Sequence, residues 1–156
     1  MAVYQFPMTV VPIDFNSKEE SNDFWKGSKL NNKIFINTII EELNDNFESS
    51  RFLPNTITFG KENGLKIDFM TDSNGLVDEI FIRIHVTYLK ESLPDIKKLV
   101  SIFGKYDVFA WTGNNTKIEF DYESILKEIE ESNAFKFVLN PLGYLDEIRK
   151  NIPRSE

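Results

Sequence analysis

Residues 56–89 read TITFGKENGLKIDFMTDSNGLVDEIFIRIHVTYL, and the alternation in this stretch decides the fold class. Ile57 and Phe59 alternate with Thr56 and Thr58. After the Asn63-Gly64 turn signal, Leu65, Ile67 and Phe69 alternate with Lys66 and Asp68. Successive side chains on a strand point to opposite faces, so period two marks strands with one apolar face, and an Asn-Gly turn between them makes the pair antiparallel. Asp72-Ser73-Asn74-Gly75 supplies the next turn. From Asp78 to Leu89, Ile80, Ile82, Ile84, Val86 and Tyr88 share one face and Phe81, Arg83, His85 and Thr87 the other, which predicts a long central strand.

Working outward, Ile36, Ile39, Ile40, Leu43 and Phe47 recur at helical spacing, which predicts an amphipathic helix whose apolar stripe needs a sheet to cover it. Upstream, Tyr4, Phe6, Met8 and Val10 alternate with Gln5, Pro7 and Thr9; Pro7 cannot donate to a ladder, which places this strand at an edge or a bulge. The polar segment from Asp14 to Asn32 holds the capping-box spacing Ser17-Lys18-Glu19-Glu20, the start of a short helix through Phe24 and Trp25 that Gly27 ends. Downstream, Ser92, Pro94 and Asp95 start a helix that buries Ile96, Leu99, Val100 and Phe103 and stops at Gly104. Val108–Thr112 and Lys117–Asp121 flank a Gly113–Thr116 turn as a hairpin. Tyr122, Ile125, Leu126 and Ile129 mark a third helix, Ala134–Leu139 a short strand, and Asn140-Pro141 the start of a last helix that buries Leu142, Leu145 and Ile148. The reading is a single α+β domain over residues 1–156, a largely antiparallel β-sheet packed against α-helices on one face.

The composition sets limits on function. With 18 Lys and Arg against 25 Asp and Glu in 156 residues, the formal charge is -7, a field that repels phosphate backbones and favours basic partners. Nucleic acid is therefore not the expected partner. The chain has no cysteine, which removes disulfides, thiolate metal sites and thiol catalysis and points to a reducing, cytoplasmic setting. No stretch is long and apolar enough to span a bilayer, so no membrane association is expected. The 14 Phe, 5 Tyr and 2 Trp must fill the core or form a surface patch.

Motifs with defined chemistry are few. His85 is the sole histidine, so triads and HExxH metal sites depend on it or are impossible. If the strand Lys117–Asp121 lay beside it, Glu119 or Asp121 would complete an acid–base site with His85 and Arg83; the alternative is a polar sheet face with cross-strand ion pairs. Asp72, Asn74, Gly75 and Asp78 fall short of a calcium loop because position 81 is Phe. Gly60 and Gly64 belong to no phosphate-binding pattern, so neither a cofactor nor a metal is expected. The strongest local signal is charge: Glu119, Asp121, Glu123, Glu128, Glu130 and Glu131 face only Lys117 and Lys127 in their segment. That is either a solvated helix face or a docking surface for a basic protein, with Trp111 as an aromatic anchor.

The opening Tyr4-Gln5-Phe6-Pro7-Met8-Thr9-Val10-Val11-Pro12, the later Trp25, the ending Phe137-Val138-Leu139-Asn140-Pro141, the acidic balance and the lack of cysteine together resemble bacterial immunity proteins of polymorphic toxin systems. The resemblance implies an inhibitor that neutralises a basic toxin domain or enzyme by protein–protein contact, without catalysis of its own. Such proteins differ widely in fold and partner, so it assigns no residue a role. The expected partner surface comprises Trp111, Glu119, Asp121, Glu123, Glu130 and Glu131. Two alternatives stand beside it: a small hydrolase or nuclease built on His85 and Arg83, and a small-molecule binding module.

Overall fold

The computed structural model describes residues 3–12 and 33–151. The short helix expected from Ser17 through Trp25 lies outside the described residues. The strands are β1 (Gln5–Pro12), β2 (Ser49–Leu53), β3 (Thr56–Gly60), β4 (Leu65–Thr71), β5 (Val77–His85), β6 (Val108–Thr112) and β7 (Lys117–Glu119). They form one antiparallel sheet in the order β2-β3-β4-β5-β1-β6-β7. The helices are α1 (Lys33–Asn46), α2 (Leu89–Phe103), α3 (Tyr122–Glu130), α4 (Asn133–Leu139) and α5 (Pro141–Asn151).

The α+β class and the two hairpins at β3–β4 and β6–β7 follow the alternation and turn residues. At the first hairpin Gly60 takes a φ of +94°, and a side-chain carbon there would lie 2.0 Å from the Leu65 carbonyl oxygen, so only glycine closes the ladder. At Asp72 the carboxylate accepts from the Asn74 and Leu76 amides at 2.8 and 3.0 Å, the hydrogen bonding of the turn expected from Asp72-Ser73-Asn74-Gly75.

β1 is central, not an edge strand: β5 lies on one side of it and β6 on the other. Pro7 is tolerated because β6 ends where the proline needs no donor. The β1–β6 ladder begins at Met8 opposite Thr112, and past it the Gly113 amide donates to the Pro7 carbonyl at 2.9 Å, with the glycine packed against the proline ring. β2 was not foreseen, because its Ser49, Ser50 and Arg51 carry no apolar alternation.

Phe6, Met8 and Val10 of β1, Leu65, Ile67 and Phe69 of β4, Ile80, Ile82 and Ile84 of β5 and Ala110 of β6 share one sheet face and form a single buried cluster with Ile39, Leu43, Ile96, Leu99, Phe103, Ile125 and Ile129 from the helices. Ile40, expected in that stripe, is only half-buried; Ile39 and Leu43 point inward.

The expected strand to Leu89 stops at His85, where Val86–Tyr88 makes a 3₁₀ turn held by the Val86 amide on the Tyr4 carbonyl at 2.9 Å. The next helix therefore begins at Leu89, and Pro94 sits inside it, not at its first position. Ala134–Leu139 is helical, not a strand. Ser132 caps it by accepting from the Phe135 amide at 3.2 Å, and this local cap overrides the strand preference of Phe135, Phe137 and Val138. Asn140 caps α5 as expected, through the Gly143 amide at 3.1 Å. The burial expected of Leu142 and Leu145 does not follow, at 77% and 41% exposure, and the Ile148 side chain lies outside the described residues.

Candidate functional site

The acidic stretch begins at the sheet edge. β7 is an edge strand of three residues, and Glu119 opposes Phe109 while Lys117 opposes Trp111, all four on the sheet face turned away from the helices. Phe120 then turns inward and is buried, which leaves Glu119 and Asp121 exposed on either side of it. Asp121 caps α3, its carboxylate accepting from the Ser124 amide at 3.0 Å and hydroxyl at 2.9 Å. Because Ile125 and Ile129 bury one side of α3, Glu123, Lys127, Glu130 and Glu131 project outward and are exposed. Among the described residues no cationic side chain lies in ion-pair range of Glu119, Glu123, Glu130 or Glu131.

Glu128 does not belong to this surface. It is buried, with Oε2 accepting from the Thr112 hydroxyl at 2.9 Å and the Asn114 amide at 3.0 Å, and the same Asn114 amide reaches the Glu128 carbonyl at 2.8 Å. One acid of the run thus fixes the β6–β7 turn onto α3 and holds the exposed ones in place. Trp111 is half-buried on the sheet face opposite α3, so it meets the helical acids only around the β7 edge.

Below that edge, an open pocket of about 280 Å³ lies between the end of α2 and the β6–β7 pair, lined by Gly104, Tyr106, Asp107, Val108, Phe109, Glu119 and Phe120. Asp107 is exposed, and Phe120 stacks on Phe103 with centroids 5.2 Å apart. Tyr106 donates its hydroxyl to Glu42 at 3.1 Å, and Lys105 pairs with the same carboxylate at 2.8 Å. Burial and the Glu42 bond raise the Tyr106 phenol, while the hydrogen bond from Lys105, more than any other contact, lowers the Glu42 carboxyl. Sequence reasoning did not reach Asp107 or Phe109. Counting back two residues from Trp111 puts Phe109 on its face, but the nearness of Asp107 to Glu119 depends on how α2 meets the hairpin.

His85 and Arg83 occupy the same sheet face on β5, far from the acids assigned to them. β1 and β6 stand between β5 and β7, three strand spacings or about 14 Å, so the acid–base pairing of His85 with Glu119 or Asp121 is unavailable. Arg83 pairs with Asp68 of β4 at 2.7 Å, Thr58 donates to that carboxylate at 2.6 Å, and the guanidinium lies 5.6 Å from the Phe81 ring. His85 stacks on Tyr4 at 4.3 Å and meets the Tyr88 ring edge at 4.8 Å. This is the cross-strand ion pair and aromatic packing expected of a structural polar face. Among the described residues no cluster of His, Asp or Glu could hold a metal ion, and no helix is long and apolar enough to cross a membrane.

No protein-family model, no curated protein and no solved structure matches this chain.

Proposed function

We propose that this chain is a small acidic binding protein of the immunity type, which neutralises a basic toxin or enzyme domain by docking through the β7–α3 edge. One observation carries the reading: Glu119, Glu123, Glu130 and Glu131 are exposed with no cation in ion-pair range among the described residues, on a frame that the hydrogen bonds of Glu128 and Asp121 tie together. Even with Lys127 among them on α3 and Lys117 on β7, these carboxylates leave the edge net negative, and such a patch steers an oppositely charged partner and fixes its register. Trp111 and Phe109 supply the apolar contact area that charge alone lacks. The reading needs no cofactor, and a cytoplasmic setting suits a chain without cysteine.

Affinity capture from the organism that encodes the chain tests this. A basic protein should be retained at low salt, released as salt rises, and lost when Glu119, Glu123, Glu130 and Glu131 are changed together to Lys. A partner that is acidic, or retained equally by the reversed variant, rules the reading out.

A further inference from the structure

We infer that the pocket beneath the β7 edge receives one arginine side chain of the docking partner, an assignment that rests on the protein-docking reading above and specifies the partner's chemistry. At about 280 Å³ the pocket falls just below the range of sites that hold cofactors or drug-sized ligands, about 300–1,000 Å³, and suits one long side chain. Two of its lining residues, Asp107 and Glu119, are carboxylates, and none is a cation. Lys105, next to the pocket in sequence, is held by Glu42 at 2.8 Å and its charge is locally balanced.

The walls select among cations. Phe120 forms a buried floor fixed by its stack on Phe103, and Tyr106 is pinned through its hydroxyl on Glu42, so both rings are in place before a ligand arrives. A guanidinium is planar and weakly hydrated, and it can lie against an aromatic face while its N–H donors reach carboxylates at its edge. An ammonium is a compact, strongly hydrated point charge that gains less from such walls. Lys117 already places its Nζ 4.8 Å from the Phe109 centroid, so the incoming guanidinium lies toward Asp107 and Phe120.

The test needs no partner. The full chain is titrated with N-acetyl-arginine amide and, separately, with the lysine analogue, following the resonances of residues 104–109 and 119–120. Saturable shifts with the arginine compound, stronger than with lysine and weakened by roughly tenfold in the Asp107→Asn/Glu119→Gln double variant, are expected. Both side chains are exposed, so an unchanged thermal melt is expected, and either single variant serves if the double one fails to fold. Absent shifts, shifts that survive the substitutions, or an equal response to lysine overturn the assignment. Its failure leaves partner capture intact, whereas loss of capture with the arginine shifts retained counts against the docking reading alone.

Discussion

Thr112 donates its hydroxyl to Glu128 Oε2 at 2.9 Å, which ties the last residue of β6 to α3 from within the most acidic segment of the chain. The two residues are buried, at 1% and 8% exposure, so the bond is shielded from competing water. It separates the acids by role: Glu128 holds the frame, and Glu123, Glu130 and Glu131 face solvent.

Removing that carboxylate should therefore cost stability. Glu128→Ala strands the Thr112 hydroxyl and the Asn114 amide, and a loss of about 1–3 kcal/mol is expected from urea unfolding. Glu123→Ala, on the exposed side of the same helix, should change stability by less than about 0.5 kcal/mol. Equal effects from the two would mean that Glu128 is not an anchor.

The core can be checked by a contrast between two isoleucines. Ile82 is fully buried between β1 and β4, and Ile82→Asp should abolish folding by burying an unpaired charge, at several kcal/mol or about 4 or more. Ile40 is half-buried on α1, where an Asp can reach water, so Ile40→Asp should retain a cooperative melt. Circular dichroism distinguishes the two, and two unfolded variants would place Ile40 deeper than the fold does.

His85→Ala should leave partner binding unchanged while costing about 1 kcal/mol, since the ring's contacts are the stacks with Tyr4 and Tyr88. Comparison of the folded variant with the parent in a partner-neutralisation assay decides this. Loss of activity by orders of magnitude in a folded variant would restore a catalytic role for the histidine.

Stability should depend on pH in a way that Glu79 alters. Burial, and then the charge of Asp78, raise its carboxyl above the usual range. A raised folded-state value means that the folded chain holds this proton more tightly, so the contribution is fully present below the ordinary carboxylate range and is lost as pH rises through the folded value. Glu42 has the opposite sign: its lowered carboxyl stabilises above the ordinary range, and that contribution is lost as pH falls through the folded value. Glu79→Gln should thus be more stable than the parent at neutral pH, with the gain vanishing under acid conditions. Melting curves across that interval that stay parallel would refute the assignment.

How far the sequence could be read depended on the kind of information each feature carries. Alternation at Leu65, Ile67 and Phe69 reports a strand and its buried face, and both hold. It does not report which strand lies beside which, so Pro7 reads as a sign of an edge or a bulge although Gly113 and Pro7 make a central position workable. The same gap produced the pairing of His85 with Glu119, whose strands are not neighbours. Helical periodicity at Leu142 and Leu145 correctly reports a helix, but whether anything covers its stripe is a tertiary fact. The exposure of Glu130 and Glu131 was legible from charge and helical phase. The burial of Glu128 was not, because it depends on the contact of the β6–β7 turn with α3.

Association kinetics with the captured partner bear most directly on the docking surface. Rim charges govern encounter and central rings govern residence, so Glu130→Lys with Glu131→Lys should slow association and flatten its dependence on salt, whereas Trp111→Ala should mainly speed dissociation. Folded variants whose association rate, salt dependence and dissociation rate all match the parent would contradict the account and place the docking surface elsewhere on the molecule.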